Sequence, residues 1–128
     1  MPDNAAEDSF SLLPILQGKD QEPIRPYLLQ QAFTGAGELA IRRGKWKYLA
    51  HKGSCGNNYE TNPELKQNAL PDTAPTAAGQ LFDFENDLGE TENLVVNYPN
   101  IVDEQNALLR QSIANGRSRP LASELQRQ

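Results

Sequence analysis

Cysteine and histidine are almost missing from this chain: one of each in 128 residues, Cys55 and His51. A single thiol forms no internal disulfide and builds no multi-thiolate metal site. A single imidazole excludes histidine-rich metal centres. No apolar run approaches the ~18 residues that a membrane span needs. Cations are also short, 12 Lys and Arg against 17 Asp and Glu, a net charge of −5. Phosphate backbones and anionic lipid repel such a chain on average, so neither nucleic acid nor membrane is its expected partner. Residues 1–7 are polar and acidic, carry no apolar core, and read as a disordered lead rather than a secretion signal.

What is present fits one small α+β domain with loose ends. Hydrophobic residues make up 38% of the chain, and nine Gly and nine Pro punctuate it. The mean hydropathy of −0.66 predicts a modest core among long polar loops. Phe10, Leu12, Leu13, Ile15 and Leu16 form a short apolar stretch. Pro14 restricts it to a broken or freshly started helix, with Asp8-Ser9 as candidate cap and Gly18 as its stop. Tyr27 to Phe33 is apolar and bounded by turn signals. It reads as a strand, although a helical turn of that length has the same pattern. Thr34 to Gly37 is a turn.

The clearest pattern runs from Glu38 to His51. With Arg43-Gly44 as a two-residue turn, Ile41 pairs with Trp46 and Leu39 with Tyr48. All four large apolar groups then share one face, while Ala40, Arg42, Lys45 and Lys47 share the other. Residues 52–79 are loop, with one helical turn at Pro63–Lys66. Gln80 to Phe84 alternates as another strand, and Glu85–Glu90 is an acidic turn. Pro99 suits the first turn of a helix whose apolar face is Ile101, Val102, Leu108, Leu109 and Ile113, stopped at Asn115-Gly116. The fold expected is a small antiparallel sheet of three or four strands with a C-terminal helix packed on it.

Few residues carry chemistry. His51 and Cys55 have the types of a nucleophile pair, but nothing in the flanking sequence stabilises a thiolate, so Cys55 reads as a loop cysteine. Asp83, Glu85, Asp87, Glu90 and Glu92 fail the calcium-loop order, because Leu88 and Leu94 stand where Gly and Glu are required. Asp83 and Glu85 gain no support as a general acid and base. Gly35-x-Gly37 is only half a phosphate loop. Arg42, Lys45 and Lys47, interleaved with aromatics, have the look of a single-strand-binding patch, but the alternation puts rings and cations on opposite faces. The cationic face remains a candidate for an anionic ligand such as a sulfated carbohydrate.

The order of the segments adds a resemblance. Asp8-Ser9-Phe10-Ser11-Leu12-Leu13-Pro14-Ile15-Leu16 comes first, then Ala40-Ile41-Arg42-Arg43-Gly44-Lys45-Trp46-Lys47-Tyr48-Leu49. The run from Leu81 to Leu94, Pro99-Asn100-Ile101-Val102 and Gly116-Arg117-Ser118-Arg119-Pro120 follow. In this order they resemble the C-terminal portion of the formylglycine-dependent sulfatases, the arylsulfatase family. The resemblance implies the C-terminal subdomain of an alkaline-phosphatase-like hydrolase. Residues 8–37 would be the last helix and strand of a truncated catalytic domain, 38–116 the small subdomain and 117–128 a tail. Leu88 departs from the family's usual Asp-Pro-Gly turn. The family's Cys/Ser-x-Pro-Ser-Arg nucleophile motif is not matched by Cys55-Gly56-Asn57-Asn58-Tyr59. No catalytic residue, metal ligand or cofactor is therefore assigned to this chain; calcium and formylglycine belong to the full-length family. Members are often periplasmic or secreted. The substrate-binding candidates are His51 and Lys52, at the end of the hairpin, with Arg42 and Lys45. The expected partner is a sulfatase catalytic domain, and the expected product is a fragment inactive by itself. The other reading is a stand-alone interaction or sulfated-glycan-binding module.

Overall fold

The computed structural model describes residues 8–19, 23–31, 38–52 and 63–119. The expectations for the lead at 1–7, the turn at 34–37, Cys55 and residues 120–128 lie outside the described residues. In chain order the elements are α1 (Leu13–Leu16), β1 (Leu28–Gln31), β2 (Leu39–Arg43), β3 (Trp46–Leu49), α2 (Pro63–Lys66), β4 (Gln80–Asp83) and α3 (Pro99–Asn115). The strands form one antiparallel sheet in the order β1-β2-β3-β4. The strand expected at Tyr27–Phe33 is present over Leu28–Gln31, residues 32 and 33 lying outside the described residues, and the sheet has four strands. β1 and β2, which flank the expected boundary between residues 37 and 38, lie side by side in it.

The hairpin differs from expectation in register. Ile41 pairs with Tyr48, Arg42 with Lys47 and Arg43 with Trp46, so Gly44-Lys45 is the turn. Trp46 is not the direct partner of Ile41. The reason is backbone stereochemistry. An Arg43-Gly44 turn asks Arg43 for a positive φ, which costs an L-residue with a Cβ. Moving the turn by one residue gives the positive φ to Gly44 alone, at 57°, as the two-residue turns with glycine first require. The pairing thereby slides by two positions. A slide of two preserves the faces, so Leu39, Ile41, Trp46 and Tyr48 still share one side.

That side is the core. Ile41, Tyr48, Leu81 and Leu109 are buried together, with Leu29, Trp46, Leu94, Ile101 and Val102 packed around them. Ile41 and Leu81 are fully enclosed, which is worth about 1.5–3 kcal/mol for each side chain. α3 lies across this face and begins at Pro99 as expected. It ends in a left-handed Gly116 whose N–H reaches Ile113 O, while the Arg117 N–H reaches Ser112 O, the paired closure of a helix C-terminus. Its buried seam is Gln105, Leu109 and Ser112. Ile113, expected in the apolar face, is exposed. Ser112 takes the inward position because its hydroxyl bonds Leu108 O and the Tyr27 hydroxyl. The other side of the sheet buries a smaller cluster of Ala40, Leu49 and Phe82, with Phe84 against it.

The free edge of β4 is closed by a side chain. Asn93 Oδ1 accepts the Leu81 and Val95 N–H groups, its Nδ2 donates to Gly79 O, and the Leu94 N–H continues to Leu81 O. An edge so occupied is a poor template for another strand. α1 is the opposite case. Pro14 stands in its first turn and none of its residues is buried. Asp8 does not cap it; its Oδ1 accepts the Ser118 N–H at 2.7 Å, and its carbonyl accepts from Arg25.

Candidate functional site

The four substrate-binding candidates lie at opposite ends of β3. Arg42 precedes the Gly44-Lys45 turn and Lys45 lies within it, whereas His51 and Lys52 follow the far end of the strand. β3 itself, Trp46–Leu49, spans about 10 Å at ~3.3 Å per residue, with Lys45 before it and His51 two residues beyond it. They form two sites rather than one.

The turn end is electrostatically closed. Lys45 Nζ lies 2.8 Å from Asp83 Oδ2 and 3.4 Å from Glu85. The hydrogen bond to Asp83 holds the Lys45 ammonium above its ordinary pKa, and the same bond holds the Asp83 carboxyl below its own. Asp83 also accepts from the Glu85 N–H and the Asn86 amide. Lys47 Nζ bonds Glu90 at 2.6 Å. The Arg42 guanidinium lies 4.8 Å above the Phe84 ring. Trp46 packs against Tyr98 with ring centroids 5.0 Å apart. The expected segregation of rings and cations is incomplete: Lys45 Nζ lies 4.9 Å from the Trp46 ring centroid and Lys47 Nζ 5.5 Å from that of Phe84, and two of the three cations spend their charge on neighbouring carboxylates.

The acidic turn that follows is likewise used internally. Asp87 Oδ2 accepts the Thr91 and Glu92 N–H groups and its Oδ1 the Thr91 hydroxyl. These bonds, that to Glu92 foremost, lower the Asp87 pKa. Among the described residues no group of three or more His, Cys, Asp or Glu is arranged to hold a metal ion. Asp83 and Asp87 spend their oxygens on Lys45, the Asn86 amide, the Thr91 hydroxyl and the N–H groups of Glu85, Thr91 and Glu92, and Glu90 accepts from Lys47.

The far end is open. His51 Nδ1 lies 3.2 Å from Lys52 O, and Lys52 Nζ donates to Pro75 O at 3.0 Å. That bond ties the strand end to the loop before β4 and leaves two ammonium donors. A cleft of about 350 Å³ lies between residues 68–73 and 89–93, over Phe82. Sequence reading missed this cleft, since its walls are loop residues with no period. The available signal was Asn93, a lone amide beside an apolar run, which bridges Gly79, Leu81 and Val95.

Comparison with known proteins agrees with this architecture. No family model matches the chain. It is 34% identical over 109 residues to an N-acetylgalactosamine-6-O-sulfatase of Bacteroides thetaiotaomicron, a match covering 85% of this chain and 19% of that enzyme. A solved Bacteroides thetaiotaomicron sulfatase, from work on the metabolism of multiple glycosaminoglycans, superposes with a TM-score of 0.61 at 33% identity, over 87% of this chain and 21% of the other. The chain thus spans about one fifth of the length of either relative. Segment order, an antiparallel sheet carrying a C-terminal helix, and identity sustained across most of its length place this chain in the sulfatase family, as a C-terminal portion.

Proposed function

We propose that this chain braces and edges the active site of a carbohydrate sulfatase whose nucleophile and metal are carried by residues outside it. The observation that supports this is the sustained likeness, 34% identity over 85% of the chain, to only 19% of a sulfatase. Sulfatases of this family use formylglycine and calcium, which supply the attack on sulfur and the neutralisation of charge. Among the described residues no group is arranged to hold calcium, and Cys55-Gly56-Asn57-Asn58-Tyr59 does not match the formylglycine motif, so no catalytic step is assigned to this chain. The apolar residues Leu12, Leu13, Ile15 and Leu16 stand exposed on and before α1, as expected of a surface covered by further protein. His51 and Lys52 edge the substrate, with the Lys52 ammonium available to an anionic substituent.

Assaying the purified chain on 4-nitrophenyl sulfate with calcium should give no turnover. Turnover that survives both Cys55→Ala and chelation would overturn the assignment of nucleophile and metal. Exchanged for the matching fifth of the Bacteroides enzyme, the chain should support a folded, active chimera. The second reading, a free-standing sulfated-glycan module binding through Arg42, Lys45 and Lys47, has less support, because Lys45 and Lys47 already hold carboxylates at 2.8 and 2.6 Å.

A further inference from the structure

Bracing does not account for the cleft over Phe82. We propose that it is a subsite for one uncharged, unsulfated sugar ring of the glycan. That the ligand is a glycan rests on the sulfatase reading; which ring it takes is read from the walls. The volume, about 350 Å³, lies at the small end of ligand pockets. Phe82 forms its floor, and Leu70 and Pro71 border it, an apolar bed for the C–H face of a ring.

The rim supplies acceptors and no cation. Asp72 gives Oδ1 to the Ala74 N–H at 2.9 Å, and its other oxygen has no partner among the described residues. Gln80 keeps a buried Oε1 without a hydrogen-bond partner, an acceptor that a hydroxyl satisfies once the amide turns outward. No Lys or Arg lines the cleft; Asp72 and Glu90 do, but Glu90 is already paired with Lys47 Nζ at 2.6 Å, so the uncompensated carboxylate is that of Asp72. Such a carboxylate accepts from hydroxyls and repels sulfate or uronate groups. Gln80 faces Leu49, the last residue of β3, across the sheet, two residues before His51 in sequence. A neutral ring in the cleft therefore lies beside the end of the sheet that carries Lys52.

The test is a titration of the full 128-residue chain, followed by amide chemical shifts, with N-acetylgalactosamine and separately with its 6-sulfate. The neutral sugar should shift the Thr73, Gly89 and Thr91 amides saturably at millimolar concentration. The sulfated sugar should bind more weakly. Asp72→Asn keeps an oxygen for the Ala74 N–H, so the spectrum should stay folded while affinity for the neutral sugar falls ~10-fold and the gap between the two sugars narrows. No saturable shift, tighter binding of the sulfated sugar, or unchanged binding by Asp72→Asn would each overturn the subsite. The readout uses no turnover. A silent titration sinks the subsite and leaves the sulfatase reading standing, whereas hydrolysis by this chain sinks that reading and leaves the subsite.

Discussion

α1 and α3 both begin with proline in their first turn, and both are rich in aliphatic residues. α3 runs for 17 residues and lays Leu109 against Ile41, Tyr48 and Leu81. α1 runs for four and buries nothing. Composition does not separate them. Length does: 17 residues give more than four turns, enough to repeat an apolar seam along a sheet. One turn presents its side chains in several directions at once, and isolated turns that short are marginal in water. α3 is therefore stabilised within the chain, while α1 buries none of its residues there.

The same substitution in each helix breaks or sharpens this contrast. Leu109→Ala should lower unfolding free energy by about 2–5 kcal/mol, read from denaturant melts, because it leaves a cavity at the centre of the core. Somewhat smaller, Gly79→Ala should cost about 1–3 kcal/mol. A Cβ at Gly79 would lie 2.7 Å from Leu49 O and 3.3 Å from the Tyr48 ring, so backbone must move. An unchanged melt would mean that β4 is less tightly seated than the core argument requires.

Acid should act next. Asp83, Asp87 and Asp8 all have carboxyl pKa values held below the ordinary 3.8, chiefly by Lys45, the Glu92 N–H and Ser118 respectively. A lowered folded pKa means stability that is complete above the unfolded value and lost as pH falls through the folded one. Melting temperature should therefore decline as pH drops below about 4, and the decline should be shallower in Asp83→Asn and Asp87→Asn. A flat profile would remove these bonds from the account. The smallest effect belongs to α1: Leu16→Ala should change stability by less than ~0.5 kcal/mol in the same denaturant melts. A large loss there would show that α1 is packed within this chain after all.

Much of the sheet was legible because strand patterning has period two. Leu39, Ile41, Trp46 and Tyr48 share a face under either register, so the face assignment survived a turn placed one residue off. The turn itself was misplaced because Arg43-Gly44 and Gly44-Lys45 differ only in which residue must take a positive φ. The candidate site was less legible. Arg42, Lys45, His51 and Lys52 are close in sequence, but an extended strand carries its ends far apart. Asp83, Glu85 and Glu90, which neutralise Lys45 and Lys47, come from a segment about forty residues later. The cleft over Phe82 joins two loops that no local pattern links.

By itself, then, the sequence determined the local elements: where glycine and proline start and stop them, and which side of each strand is apolar. Those follow from steric and solvation rules acting over a few residues. Tertiary structure alone decided that Ser112, not Ile113, faces inward at the end of α3, that Asn93 closes the edge of β4, and that the basic residues of the hairpin turn are paired while Lys52 retains donors. Each of these depends on a partner distant in the chain. A side chain's charge or hydrogen bond is settled by what folding brings within about 3 Å of it, and sequence spacing does not encode that distance.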